Sequence, residues 1–193
     1  MFYLEIVVLN GARKQDDKVD QTAQTLTDTL TPFGHVSLYR LRDIEVGDCL
    51  GCFGCWTKNP GKCVINDDAQ EIINKLPLTD LSVYVSPVVF GGYSYELKKI
   101  LDRQICGILP FFHKVKGELH HPQRYDKIGK LAAIGVLPKP DPQAEEIFRT
   151  LLYRNSLNKQ ASRHATAFIY YKDTEEQGEG KISQLLASLE IKV

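Results

Sequence analysis

The stretch Leu81–Ser94 decides the fold of this chain, and it reads Leu-Ser-Val-Tyr-Val-Ser-Pro-Val-Val-Phe-Gly-Gly-Tyr-Ser. Its first six residues are mostly the apolar and β-branched types of a buried strand, so we predict a strand from about Leu81 to Ser86. Pro87 and the paired glycines predict a loop, and Ser94 is a favourable N-cap residue. Apolar residues then recur at helical spacing to about Cys106. The stretch therefore predicts a strand, a loop and a helix in succession.

Four more strands are predicted around this unit, each followed by a helix. Apolar segments predict strands at residues 2–9, 36–41, 131–137 and 165–171. Asp141 precedes a proline at a helix start, and Asp68 is predicted to form a capping box with Glu71. Five alternations of strand and helix predict an α/β fold, a doubly wound five-stranded parallel sheet with helices on both faces. The length predicts a single domain over residues 1–193.

Residues 107–130 interrupt this alternation with a long connection that we predict to be irregular. It holds three of the five histidines, His113, His120 and His121, together with several aromatic residues. These histidines could bind a metal or transfer protons, or they could simply be hydrogen-bonded to the protein. A connection of this length and composition favours a lid or an oligomer contact.

Composition excludes several classes of partner. The 24 lysines and arginines equal the 24 aspartates and glutamates, so there is no electrostatic argument for nucleic acid or an anionic membrane. No apolar run approaches the roughly 20 residues that cross a bilayer. The first residues lack the features of a signal peptide, and an odd number of clustered cysteines argues against a disulfide framework. We therefore expect a cytoplasmic protein.

The carboxyl ends of the strands predict the position of the site. In an open parallel sheet, ligands bind where the strand order reverses, here between the first and third strands. The loops at Asn10–Thr22 and Pro87–Ser94 follow those strands. The first leads to a helix N-terminus that favours a phosphate. The second has paired glycines that allow close approach to a flat ring, with Phe90 and Tyr93 as stacking partners.

Four of the five cysteines fall within Cys49–Asp68. Cys49, Cys52 and Cys55 repeat every third residue and Cys63 follows after a Pro-Gly turn, a spacing typical of an iron–sulfur cluster or of dithiol redox chemistry. Zinc is a weaker alternative, and a self-packed loop without metal is another, because Trp56 lies in the same stretch. Cys106 continues a helical pattern and is predicted to be a small buried hydrophobic residue.

Several segments resemble the NADPH-dependent FMN reductase and iron–sulfur flavoprotein family of flavodoxin-like proteins. The resemblance covers nearly the whole chain. It is carried by Cys49–Cys55 with Cys63–Asp68, by Ser86–Ser94, by Leu97-Lys98 and Leu101-Asp102-Arg103, and by Gly117–His121 with Arg124-Tyr125. It implies a flavodoxin-like fold and an enzyme that takes hydride from NAD(P)H onto FMN and passes electrons to a small-molecule or protein acceptor. It also implies a homodimer or homotetramer.

The resemblance also implies the residues of the site. Those matching the family's FMN-binding segments are Gly11, Ala12, Arg13, Gln21 and Thr22 for the phosphate, and Pro87, Val88, Val89, Phe90, Gly91, Gly92 and Tyr93 for the ring. Those matching its 4Fe-4S cluster ligands are Cys49, Cys52, Cys55 and Cys63.

Two departures from the family pattern keep other functions open. Ala12 stands where the family has serine after the first glycine, and the loop carries Asp16, Asp17 and Asp20. Val89 stands where a tyrosine is frequent. The alternatives are a flavodoxin-like electron carrier and a flavin-free binding or regulatory module on the same fold.

Overall fold

The computed structural model describes residues 3–191 and contains a five-stranded parallel sheet. Its strands stand in the order β2-β1-β3-β6-β7, which confirms the predicted doubly wound architecture. Their bounds are β1 Leu4–Asn10, β2 Gly34–Arg40, β3 Leu81–Pro87, β6 Lys130–Leu137 and β7 His164–Tyr170, and a separate antiparallel hairpin is formed by β4 His113–Val115 and β5 Glu118–His120. Phe2, at the start of the first predicted strand, lies outside the described residues.

Helices cover both faces of the sheet. Their bounds are α1 Asp17–Leu30, α2 Gly54–Thr57, α3 Ala69–Lys75, α4 Tyr95–Arg103, α5 Pro142–Asn158 and α6 Glu175–Ser188. Buried residues of α1 and α6, such as Leu26 and Leu186, pack on one face in a single core cluster. Those of α3, α4 and α5, such as Ile72, Ile100 and Phe148, pack on the other.

Strand register brings the predicted site loops together. Asn10 at the end of β1 lies opposite Arg40 of β2 and Val85 of β3. The strands are parallel, so the segments that follow β1, β2 and β3 leave the sheet at the same edge. This arrangement places three segments on one side of the molecule. They are the phosphate loop (Asn10–Thr22), the cysteine stretch (Cys49–Asp68) and the ring loop (Pro87–Ser94).

Two local predictions are wrong. The connection at 107–130 is not wholly irregular, because His113–His120 folds into the β4–β5 hairpin. Asp68 precedes α3 without a side-chain capping bond. Its carboxylate instead accepts the Glu45 backbone N–H at 2.9 Å, and the Glu71 carboxylate accepts the Tyr39 hydroxyl. By contrast, Ser94 caps α4 through the Leu97 N–H, as predicted.

A helix can cross a bilayer only if it is both long enough and apolar enough. None of the helices between residues 3 and 191 meets both conditions.

Candidate functional site

The loops after β1 and β3 are joined directly by Ser94. Its hydroxyl donates to the Gly11 carbonyl at 2.6 Å, while its backbone N–H donates to Ser86 Oγ at 2.9 Å. A side chain at Gly11 would not fit, since a Cβ there would lie 2.8 Å from Ser94 Oγ. Glycine is therefore required at position 11, because the two loops approach each other closely there. Together the two loops form one continuous rim at the carboxyl edge of the sheet.

The predicted phosphate loop already has acceptors for its backbone N–H groups. Gly11 donates to the Val85 carbonyl, and Ala12 donates to Asn10 Oδ1 at 2.9 Å. Arg13 donates to Asp16 Oδ2 through its backbone N–H at 2.8 Å and through its Nε at 3.0 Å. The Asp16 carboxylate is only 7% exposed. The Asp16 carboxylate thus occupies the place next to the first turn of α1 where the anion of a ligand would be expected.

A second carboxylate in the loop, that of Asp20, is paired with Arg42, which is not among the predicted site residues. Arg42 contacts Asp20 at 2.8 Å and also donates to the Arg13 carbonyl at 3.3 Å. The hydrogen bond that Arg42 donates to Asp20 is the main reason that the pKa of Arg42 is raised. The position of Arg42, just after the second predicted strand, was the signal that could have identified it.

Two other predicted phosphate residues point away from this cluster. Gln21 is exposed on α1, where it lines a groove between α1 and α6. Thr22 is buried, and its hydroxyl donates to the Lys18 carbonyl at 2.7 Å. The structure therefore brings Gly11, Ala12 and Arg13 together but separates them from the side chains of Gln21 and Thr22.

The ring loop ends in a tight turn. Val89 and Gly92 exchange two backbone hydrogen bonds at 3.0 and 2.8 Å, while Val88 at the base of the turn donates to the Val136 carbonyl. Phe90 and Gly91 both have positive φ, of 50° and 78°. Phe90 is fully exposed at the tip. A phenylalanine in the left-handed region is unusual, and such strain is often found at functional sites.

Tyr93 turns inward, away from the rim. Its ring packs edge-on against Tyr84 and Phe148, with centroids 6.1 and 5.1 Å away. Its hydroxyl accepts from Asn155 Nδ2 at 3.1 Å, and burial raises its pKa. Of the two aromatic residues predicted to stack on a ring, the structure leaves Phe90 free at the surface and packs Tyr93 inside.

All five cysteines line a single cavity of about 80 Å³ beside the rim. Cys49 and Cys52 are exposed, while Cys55 and Cys106 are buried. Burial raises the pKa of the Cys55 thiol and raises that of Cys106 to about 12. The prediction that Cys106 is buried is confirmed. In the described part of the chain, no three histidine, cysteine, aspartate or glutamate side chains lie close enough to hold a metal ion.

The cysteine stretch is tied to the fold at both ends. Asp67 accepts the Gly47 backbone N–H at 2.8 Å, which closes the stretch on itself. The Trp56 indole N–H donates to the carbonyls of Ile105 and Ile108 at 3.0 and 3.1 Å. The loop is thereby anchored to the short 3₁₀ turn Gln104–Gly107 that follows α4.

A buried ion pair forms one wall of the cysteine cavity. Arg103 is fully buried, contacts Asp67 and Cys63, and donates to the Gly47 carbonyl at 3.2 Å. Burial alone would lower the pKa of Arg103, but the Asp67 hydrogen bond and the Cys63 sulfur outweigh it and the pKa is raised. Among the described residues, Arg103 Nε and Asp67 Oδ1 are buried without a hydrogen-bond partner. A guanidinium with a free N–H would stabilise a negatively charged group bound in this cavity.

The histidines of the hairpin region are hydrogen-bonded to protein groups. His120 lies 2.9 Å from Asn158 Oδ1 and 3.1 Å from Glu118, and His113 lies 2.9 Å from Gln160. His121 contacts the Phe111 carbonyl at 2.8 Å. These contacts agree with the structural interpretation of the histidines.

The strand order and the two joined loops define a flavodoxin-like α/β protein. The sequence profile of the family described as NADPH-dependent FMN reductase matches residues 4–122, which is more than half of the chain. The chain therefore belongs to this family of flavin oxidoreductases, and the resemblance drawn from its motifs is confirmed.

A curated relative and two solved structures are also similar to this chain. An iron-sulfur flavoprotein of Methanocaldococcus jannaschii is 31% identical over 101 residues, which cover 52% of this chain and 51% of that protein. The chain thus spans about half the length of this curated relative. An NAD(P)H:quinone oxidoreductase from Methanothermobacter marburgensis superposes with a TM-score of 0.63 over 95% of this chain and 96% of that one, at 10% identity. An FMN-dependent NADH-azoreductase from Bacillus anthracis, in complex with FMN, gives 0.60 over 95% and 98%, at 11% identity.

Proposed function

We propose that this protein is an FMN-dependent NAD(P)H oxidoreductase whose flavin lies at the carboxyl edge of the sheet. The observation that carries the proposal is the junction of the two rim loops through Ser94 and Gly11. The phosphate would lie at Gly11–Arg13 and the N-terminal end of α1, without the side chains of Gln21 and Thr22, and the ring would lie along Pro87–Tyr93. Bound FMN would supply two-electron transfer from NAD(P)H to an acceptor.

The phosphate end of this site fits FMN only after an exchange of anions. Asp16 already accepts the two Arg13 donors that a phosphate would take. We infer that the Asp16 side chain swings out when the nucleotide binds and that Arg13 then pairs with the phosphate. Arg13 is 43% exposed, so its side chain has room to turn toward a phosphate, whereas Asp16, at 8% exposed, must give up a largely buried contact.

The electron acceptor is proposed to be a small molecule, a protein or a 4Fe-4S cluster held by Cys49, Cys52, Cys55 and Cys63. The residue types suit a cluster, because four thiols line one cavity beside Arg103, but among the described residues no three ligands lie close enough to share a metal ion, so the cysteine loop would have to close around a cluster. The relative from Methanocaldococcus jannaschii, by its name an iron-sulfur flavoprotein, supports this choice.

Anaerobic purification tests the proposal. We expect a visible spectrum with flavin bands, or their appearance when FMN is titrated, together with steady oxidation of NADH or NADPH. Iron and acid-labile sulfide analysis of the same sample, with a Cys49→Ser/Cys52→Ser variant as control, decides whether a cluster is present. Absence of flavin bands combined with no binding in the FMN titration would refute the flavin site.

A second candidate function is a flavin-free binding or regulatory module on this fold. The observation in its favour is that the buried Asp16 carboxylate already accepts the Arg13 N–H groups. The loop would then need no bound phosphate to satisfy these donors. Tight FMN occupancy of the purified protein would eliminate it. If the module is correct, the protein will fold stably without flavin and will not oxidise NAD(P)H at any FMN concentration.

A further inference from the structure

A larger cavity, of about 610 Å³, lies on the sheet face covered by α4 and α5. Its walls include Tyr84 of β3, Tyr93 of the ring loop, Ile105 of the 3₁₀ turn and Leu151 of α5. It extends away from the rim to Pro77 and Lys159, which lie toward the amino ends of the strands. Its volume is within the range of small-molecule sites, roughly 300–1,000 Å³.

Lys159 places an uncompensated cation at the inner end of this cavity. Its ammonium makes one hydrogen bond, to Ser82 Oγ at 3.3 Å, and no carboxylate among residues 3–191 acts on it as a charged partner. Burial lowers the pKa of Lys159 to about 8, so the side chain is still mainly protonated at neutral pH. A partly buried charge of this kind is unfavourable until an anion accompanies it.

Two phenol groups add further donors to the same space. Tyr84 accepts from Gln104 Nε2 at 3.2 Å, and Tyr93 accepts from Asn155 Nδ2 at 3.1 Å. Neither phenolic O–H has an acceptor in the part of the chain that the structure describes, so both remain available to donate. The two rings meet at 85°, and because Tyr84 is only 1% exposed, Tyr93 provides most of the aromatic surface that faces the cavity.

The other charges that line the cavity cancel. Asp102 forms an ion pair with Lys98 near solvent, and His121 is hydrogen-bonded to the Phe111 carbonyl. The net charge that faces the interior at neutral pH is therefore the one on Lys159. Apolar walls, aromatic rings and a single deep cation together describe a site for a flat apolar molecule with one negative end.

We propose that this cavity binds a planar aromatic carboxylate, with its carboxylate on Lys159 Nζ and its ring beside Tyr84 and Tyr93. The site is distinct from the flavin rim, with which it shares only the wall formed by Gly92 and Tyr93. It goes beyond the proposed function, because it does not require FMN or an iron–sulfur cluster.

Calorimetric titration of the purified protein tests the proposal, with 2-naphthoate and its uncharged analogue 2-naphthylmethanol as probes. We expect naphthoate to bind at least about tenfold more tightly than the alcohol, because a hydrogen bond to a charged partner contributes about 1.5–3 kcal/mol. Lys159→Met should abolish this preference and Lys159→Arg should retain it. Lys172→Met, at an exposed lysine away from the cavity, is the matched control and should leave the preference unchanged.

Reductive methylation of the unaltered protein gives a test that does not depend on the folding of a variant. Peptide mass spectrometry should show that saturating naphthoate slows methylation of Lys159 at least about threefold and leaves Lys172 unaffected. Equal binding of both probes to the unaltered protein, a preference that survives in Lys159→Met, or unprotected Lys159 would each overturn the proposal. Repeating the titration with FMN present separates the two sites, since an independent cavity keeps its affinity whether or not flavin binds.

Discussion

Asp16 does within this chain what a bound phosphate does in a nucleotide site. Its carboxylate lies at the N-terminal end of α1, where the helix dipole favours a negative charge, and it accepts three hydrogen bonds from Arg13. Asp17, one residue further on, is exposed and carries the same charge without these contacts. The two residues therefore separate the effect of occupying the anion position from the effect of net charge.

Replacing Asp16 should strengthen flavin binding. We expect Asp16→Ser to raise the affinity for FMN by at least about tenfold, since each charge-assisted hydrogen bond released from Asp16 becomes available to the phosphate. Quenching of FMN fluorescence during titration measures the change. Asp17→Asn is the matched control and should change the affinity less than about threefold. Equal gains in both variants would mean that charge alone is responsible.

Arg103 is the residue on which the cysteine stretch most depends. Arg103→Met should lower the free energy of unfolding by about 3–5 kcal/mol, because it leaves the Asp67 carboxylate buried without its cation. Urea unfolding measures the loss. The double variant Arg103→Met/Asp67→Leu should recover much of it, whereas Lys98→Met, on the exposed face of α4, should have little effect. A double variant as unstable as the single one would contradict this account.

Asp67 also makes stability depend on pH. Burial alone would raise its pKa, but hydrogen bonds from Arg103 and the Gly47 N–H outweigh burial and the pKa is lowered. The stabilisation is therefore complete above the unfolded pKa of about 3.9 and is lost as the pH falls through the folded value. Asp67→Asn should flatten the stability curve between about pH 4 and pH 2. Thermal unfolding across this range measures it, and an unchanged acid slope would exclude Asp67 as its source.

At the scale of elements, the turn Val89–Gly92 combines strain with exposure. Phe90 has a φ of 50° and a fully exposed ring. Phe90→Gly should leave stability unchanged or raise it by about 1 kcal/mol, because glycine adopts this backbone without strain. If the ring of Phe90 contacts flavin, the same change should weaken FMN binding several-fold. Thermal unfolding and FMN titration on one sample measure both effects, and loss of stability with unaltered binding would assign Phe90 a purely structural role.

The elements that sequence predicted well are those whose patterns are local. Continuous runs of apolar and β-branched residues were sufficient for the five strands of the sheet, and the Ser94 cap followed from its position before an apolar helical pattern. Asp68 was mispredicted because its carboxylate bonds to Glu45, 23 residues away in sequence. The β4–β5 hairpin was missed because its three-residue strands are too short to show an alternating pattern.

The candidate site was only partly predictable for the same reason. The positions of the rim loops follow from the strand order. That order is largely determined by the alternation of strands and helices along the chain and by the handedness of parallel connections. The inward turn of Tyr93 and the pairing of Arg42 with Asp20 depend on tertiary contacts between distant segments. No local pattern encodes which side of a loop such a side chain occupies.

At the scale of the whole molecule, the hairpin region presents exposed apolar side chains. Phe111 and Phe112 are 67% and 68% exposed, and Leu119 of β5, seven residues after Phe112, is 69% exposed. A cluster of large apolar residues of this kind is typical of an interaction surface. This agrees with the expectation, drawn from the family, of a homodimer or homotetramer.

Light scattering coupled to size-exclusion chromatography should therefore give a mass of two or four chains. The variant Phe111→Ser/Phe112→Ser should shift this mass toward that of one chain, because it removes apolar area from the surface. Tyr153→Ser, on α5, provides a control at another exposed aromatic residue. A monomeric unaltered protein, or a double variant that stays assembled, would exclude this surface as the interface.

Ile105 connects the chemistry of the cysteines to the rest of the molecule. Its side chain lines both the cysteine cavity and the cavity of Lys159, and its carbonyl accepts the Trp56 indole N–H. A ligand that displaces Ile105 from one side alters the space on the other. If both cavities bind a ligand and Ile105 couples them, thermodynamic reciprocity requires that each ligand change the affinity for the other by the same factor. The 3₁₀ turn after α4 is thus placed to serve as an allosteric coupling element.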